Sequence, residues 1–249
     1  MLLRIEFLLR RAHANLPVPS PWAARTVLDS LIQLQELLTR FDARQDLLKM
    51  LERHQHHLEK IRQSPQVDTS RVETVLEEVR DSSKKLHGDT ATSGMHLRRI
   101  ELVNGLRQSA MVPGGAGGFE HPYLHYWLHR DAGTRERDLR GWMSGFESLE
   151  KAANLALWLT RAAGNPQRLT AEKGFYNQHL DRRADFQMAR VTVSTETAAF
   201  ANISGNPHRI TLRFMRPEPN LERASQTEND VEFDLTLCPG IPQHAPEPR

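Results

Sequence analysis

Apolar residues in this chain recur at helical spacing as far as Gly164-Asn165-Pro166, and beyond that point they alternate. One kind of element cannot serve both periods. A 3.6-residue repeat lays an apolar stripe along a helix, whereas a two-residue repeat sends apolar side chains to one face of a strand. Helices first and strands last predict an α+β protein, with a helical domain over 1–165 and a smaller β-strand domain over 166–238. The strands are expected to form most simply one antiparallel sheet with one wet face. The proline-rich stretch over 239–249 is expected to be disordered.

The helical part reads as a series of capped segments. Leu2, Ile5, Leu8, Leu9, Ala12 and Leu16 mark the first helix, ended by Pro17 to Pro21. Met1 falls in mid-pattern with no cap before it, so an in-frame upstream extension is expected. Ser20 caps the second helix with Pro21 at its first position, and Val27, Leu28, Leu31, Leu34, Leu37, Leu38 and Phe41 form its apolar face. Asp42 opens a third through Leu47, Leu48, Leu51, Leu58 and Ile61, stopped by Pro65. Ser70 and Glu73 form a capping box before Val72, Val75, Leu76 and Val79. The polar residues from Ser82 to Gly94 read as a loop, and Leu97, Ile100, Leu102, Val103 and Leu106 as a fifth helix. After the glycine-rich Pro113 to Gly118, Pro122 suits the first position of an aromatic-rich helix. A run from about Thr134 to Ala163 follows, with Gly145 a point of bending or breaking. Alternation predicts strands over Gln187–Thr195, His208–Met215 and Val231–Cys238.

Composition excludes several classes. The 249 residues include no apolar run near the roughly 18 to 20 that a membrane helix needs, and no small-residue cleavage site follows the amphipathic start. A single Cys238 excludes an intramolecular disulfide and fits a reducing cytoplasm. A net charge of +2 does not by itself imply nucleic acid, so any basic surface must be local.

His121, His125 and His129 stand at i, i+4, i+8, and His54, His56 and His57 form a second cluster. A hydrolytic zinc helix would place a carboxylate between its histidines, where Pro122, Tyr123 and Leu124 stand here, so aromatic packing with marginal histidines is the better reading of the first cluster. The second reads as a solvated helix face. The glycines have no strand before them and no Lys-Ser/Thr after them, unlike a phosphate loop. No metal or cofactor is expected, and no Ser-His-Asp, Cys-His or paired-carboxylate arrangement points to an enzyme.

Arg209 and Arg213 share a strand face, about 13 to 14 Å apart, with Arg190 expected on a neighbouring strand. Pairing with Glu232 and Asp234 would make them a solvated structural network. Left unpaired, they would form an anion-binding surface, for which the planar guanidinium is suited. The pattern leaves both open. A nucleic-acid-binding face would interleave aromatic residues with the arginines, but Thr192, Thr211 and Thr236 hold those places.

Four blocks, in order, resemble the ZapD family of Z-ring-associated cell-division proteins. They are LRIEF at Leu3 to Phe7, the segment PGGAGGFEHPYLHYWLH at Pro113 to His129, GFY at Gly174 to Tyr176, and ISG...RITLRFM at Ile203 to Met215. The resemblance implies a cytoplasmic, dimeric adaptor at the mid-cell division ring. It would bind the acidic and apolar C-terminal tail of FtsZ and cross-link or bundle its filaments, with no nucleic-acid or membrane partner. It assigns partner binding to Arg4, to His125 in a positively charged pocket, and to Arg209 and Arg213. A further basic position of the family is Glu101 here, which either moves the pocket to Arg98 or Arg99 or weakens it.

Overall fold

The structure, a computed structural model, describes residues 1–65, 67–88, 94–109, 117–181, 186–218 and 223–239. The chain divides into two units, Met1–Leu157 and Trp158–Arg249. Among the described residues eight α-helices precede seven strands, so the α+β class is observed.

In the first unit, α1 (Leu2–Asn15) turns Ile5, Leu8, Leu9 and Ala12 onto α2 (Pro21–Arg40). Ser20 caps α2, its Oγ accepting from the Trp22 N–H at 3.2 Å. Val27, Leu28, Leu31 and Leu34 of α2 are wholly buried, and the helix is central because it also meets α5 (Glu101–Ser109), α6 (Pro122–Leu128) and α7 (Ala132–Ser144). Asp42 caps α3 (Ala43–Arg62), which packs on α4 (Thr69–Gly88). Arg44 donates to the carbonyls of Leu86 and His87 at 2.9 and 2.7 Å, tying the start of α3 to the end of α4. No described helix is long and apolar enough to cross a membrane.

Two helical expectations need correction. The stretch from Ser82 to Gly88 is helix, not loop: Val72, Leu76, Val79, Ser82 and Leu86 continue one buried stripe, with a small hydroxyl taking one of its places. The cap of α4 is Asp68 rather than Ser70, since its Oδ1 accepts from the backbone N–H groups of Ser70 and Arg71 at 3.1 and 3.3 Å. The run after residue 130 breaks at Gly145, as its sequence allowed, into α7 and α8 (Glu147–Ala162). A Cβ at Gly145 would lie 2.0 Å from the His96 ring, whose Nε2 is 2.7 Å from the Trp142 carbonyl. The chain breaks there because a side chain of the 3-10 turn Met95–Arg99 fills the space.

Arg135 is buried at the start of α7 and donates to the carbonyls of Leu128 (3.0 Å), Pro19 (3.1 Å) and Arg130. The Trp127 ring of α6 stacks on Trp142 at 5.5 Å, while its Nε1–H donates to Asp138 at 2.9 Å. These contacts orient α6, and with it His125.

The second unit holds two antiparallel sheets rather than the single sheet expected. One has the order β1-β7-β3, from β1 (Asn165–Ala171), β7 (Val231–Pro239) and β3 (Phe186–Val193). The other has the order β2-β5-β4, from β2 (Phe175–His179), β5 (Arg209–Arg216) and β4 (Phe200–Asn206), with β6 (Ser225–Gln226) pairing the end of β5. Their inner faces share one core of Ala171, Ile210, Leu212, Phe214, Val231, Phe233 and Leu235, in which Phe233 lies 5.1 Å from Phe214 and 5.3 Å from Tyr176 between ring centroids. The alternation of Ile210, Leu212 and Phe214 inward is as expected.

At the end of β7 the alternation fails. Thr236, expected on the wet face, is 1% exposed, and Cys238 is fully buried. A Cβ at Gly164, just past α8, would meet Thr236 Cγ2 at 2.6 Å and Cys238 Sγ at 3.1 Å, so chain following the helix covers that face. Of the expected tail, Pro239 ends β7 and the rest lies outside the described residues, as do Pro113 to Ala116 of the glycine-rich loop.

Candidate functional site

The first unit places Arg4, Arg98, Arg99 and His125 at the surface. Arg4 lines a hollow with Leu8 of α1 and Gln33, Glu36, Leu37 and Arg40 of α2. Arg98 reaches the same last turn of α2, donating to Thr39 Oγ1 at 3.2 Å. The C-terminal turn of a helix carries partial negative charge, which favours the cations gathered there. Arg40 is the residue that periodicity could not supply, because only helix packing brings it beside Arg4. Glu101 is the first residue of α5, where an acid suits the positive helix end, and Arg99 stands exposed just before it.

His125 is exposed, with its ring 4.2 Å from that of His129. His121 departs from this pair. Its Nε2 lies 2.8 Å from Ser109 Oγ on α5, so the three histidines do not converge. The other cluster is also split, since His54 is buried whereas His56 and His57 are exposed, which corrects the solvated face expected for all three. Among the described residues no group of three or more His, Cys, Asp or Glu is placed to hold a metal.

In the second unit the alternatives for the arginines separate cleanly. Glu232 and Asp234 lie on β7, where Arg168 of β1 takes both, at 2.8 Å to Glu232 and 3.5 Å to Asp234. Arg209 and Arg213 lie on β5 in the other sheet, and no ion pair engages either among the described residues. Arg190, expected beside them, is on β3 opposite Thr236, hence in the Arg168 sheet. The outer face around Arg209 and Arg213 is built from β2, β4, β5 and β6, whose sequences contain no Asp or Glu. Arg213 stands opposite Phe175 and Asn202, Arg209 opposite His179 and Asn206, and Met215 opposite Phe200. The two aromatic neighbours went unforeseen because the strands that flank β5 are not recorded in its own pattern. They also remove the reason given against a nucleic-acid face, since Thr211 shares this face while Thr192 and Thr236 belong to the other sheet.

The structure thus defines a two-unit α+β protein with an arginine cluster on its helical part and, on its β-sandwich, a basic face whose described strands carry no Asp or Glu. A family model described as ZapD, cell division protein, matches residues 3–213. The chain is 33% identical over 238 residues to the cell division protein ZapD of Methylococcus capsulatus, covering 96% of this chain and 93% of that one. It is 32% identical to ZapD of Dechloromonas aromatica over 95% of this chain and 94% of the relative, and 30% identical to an Escherichia coli ZapD over 95% and 93%. This chain belongs to the ZapD family of cell division proteins. Membership assigns it a role in cell division, and these relatives are named as cell division proteins, not as enzymes.

Proposed function

We propose that this protein is a cytoplasmic adaptor of the mid-cell division ring that binds the C-terminal tail of FtsZ and cross-links or bundles its filaments. The observation that carries this reading is the outer face of β2-β5-β4, where Arg209 and Arg213 have no acidic partner among the described residues, in a protein of the ZapD family. A guanidinium fork matches a carboxylate, and acidic tail residues would complete the ion pairs that the sheet itself leaves unmade. Arg4, Arg98, Arg99 and His125 belong to the same reading as basic contacts contributed by the helical unit, while Arg190 contributes only from the other sheet. A homodimer would present two tail sites. Once one tail is held, the second meets its site at high effective concentration, so weak single sites suffice to bundle filaments.

The test is co-sedimentation of FtsZ filaments with an Arg209→Glu, Arg213→Glu variant, alongside its melting temperature. Bundling is expected to be abolished with the dimer and the melting temperature nearly unchanged, because charge reversal at exposed sites away from structural pairs rarely unfolds a domain. Binding by the unaltered protein is expected to weaken with added salt, as the Debye length falls below its physiological value of about 8 Å. Bundling retained by a destabilised variant sinks the reading. The outer sheet face favours one alternative, single-stranded nucleic acid stacked on Phe175 and Phe200. A gel-shift assay with an oligonucleotide separates it.

A further inference from the structure

The GFY block shows which of its residues the fold itself uses. Gly174 and Lys173 turn β1 into β2 with φ of 69° and 48°, the positive values of a tight hairpin turn. That turn is held from several sides: Lys173 N–H donates to Asp230 Oδ1 at 2.8 Å, Gln226 Nε2 donates to the Lys173 carbonyl at 2.9 Å, and Phe214 N–H donates to the Gly174 carbonyl at 2.8 Å. A Cβ at Gly174 would lie 2.7 Å from Thr227 Cγ2, so glycine is required. Tyr176 points into the core against Phe233, and its hydroxyl donates to Gln178 Oε1 at 3.0 Å. Phe175 is the remaining member, and the core does not use it: it is 42% exposed, directly opposite Arg213.

Phe200 stands in the same way on the other side. It is 49% exposed on β4, opposite Met215, and therefore diagonal to Arg213, which faces Asn202. Directly opposed residues of neighbouring strands lie about 5 Å apart and diagonal ones about 7 to 8 Å apart, so the two rings flank the Arg213 side chain across three strands. An exposed Phe on a wet strand gains little for the fold, and two of them around a cation with no ion-pair partner among the described residues form a composite surface. Pure electrostatic binding would need only the arginine.

We infer that Phe175 and Phe200 are specificity-determining residues that hold apolar side chains of an acidic peptide while Arg213 holds its carboxylate. Charge complementarity selects the occupant: the face offers Arg209 and Arg213 and no Asp or Glu from its strands, so an acidic segment with apolar side chains beside the acid fits both parts. A basic peptide is repelled, and an acidic peptide without apolar residues leaves the rings unused. This rests on the proposed binding of the FtsZ tail, which it deepens by giving the tail's apolar residues a place.

The experiment titrates a synthetic FtsZ tail peptide into the whole protein at two salt concentrations, with Phe175→Thr, Phe200→Thr and the pair. Threonine keeps strand propensity, and both positions are exposed, so an unchanged melting temperature is expected. The double variant is expected to bind roughly ten-fold or more weakly, as for loss of an aromatic anchor, with the salt dependence of the wild-type protein retained. Phe175→Leu, which keeps an apolar side chain, should recover much of the loss seen with Phe175→Thr. A tail peptide with its apolar residues replaced by serine should bind both proteins equally. Equal binding of the natural tail by wild type and double variant overturns this inference alone. No binding of the tail by wild type overturns the proposed function and this inference together. Binding of an oligo(dT) probe in place of the peptide, lost in the double variant, assigns the face to nucleic acid and overturns the peptide.

Discussion

His54 illustrates how a single side chain takes its chemistry from packing. It lies on the buried side of α3, 6% exposed, and burial, with the charge of a protonated His57 behind it, lowers its pKa from 6.5 to about 4. In the unfolded chain it returns to about 6.5. Between these values the unfolded state binds a proton that the folded state does not, so stability is full above about pH 6.5 and is lost as pH falls toward 4. The whole difference is at most about 3 kcal/mol. Urea unfolding between pH 7.5 and 4.5 is expected to show a falling midpoint, with a shallower fall in His54→Gln. An unchanged slope in that variant contradicts the assignment. Cys238 is shaped by the same force, since burial pushes its thiol up and away from the reactive range. For Arg209 and Arg213 exposure was legible in the alternation of β5, but their having no acidic partner among the described residues was not. That depends on Glu232 and Asp234 belonging to another sheet.

At the scale of elements, the errors in reading the sequence share a cause: polar residues in structural roles. The last turns of α4 look like a loop because Asp81, Ser82, Ser83, Lys84 and Lys85 outnumber Leu86, yet Leu86 is fully buried and Ser82 nearly so. Leu86→Ala is therefore expected to cost about 2–5 kcal/mol in urea unfolding, as a core truncation does, where a loop residue would cost well under 1 kcal/mol. A cost below that threshold returns the stretch to a loop. The strands β1 and β4 escaped notice for a related reason. They are edge strands with few inward apolar residues, Leu169 and Ala171 on one and Ala201 and Ile203 on the other, so the two-residue period is faint. The strongly patterned β5 and β7 are the central strands of the two sheets, where both neighbours and the core enforce alternation.

At the scale of the whole molecule, each unit carries buried side chains of its own. Phe233 is fully buried between Phe214 and Tyr176, so Phe233→Ala is expected to cost about 3–5 kcal/mol, enough to unfold a small sandwich. If the units melt separately, the helical far-ultraviolet signal of this variant keeps its wild-type midpoint while the near-ultraviolet aromatic signal of the sandwich is lost at lower temperature. A single transition shifted as a whole rules out independent units. The same division bears on function: the arginines of the helical unit and those of β5 belong to different units, so if the units melt separately, variants on one surface leave the folding of the other untouched.

What the sequence by itself determined was local: the change of period at Gly164-Asn165-Pro166, the Ser20 and Asp42 caps, the inward set Ile210, Leu212 and Phe214, and the blocks that mark a ZapD protein. These follow from rules acting over a few residues, caps and periods that a helix turn or a strand repeat imposes. Tertiary structure decided which strands neighbour which, and hence that Arg168 rather than Arg209 or Arg213 meets Glu232 and Asp234, that Phe175 and Phe200 flank Arg213, and that Arg40 joins Arg4. Strand order and helix docking depend on contacts between residues far apart in the chain, and the pattern within one element carries no record of its neighbours.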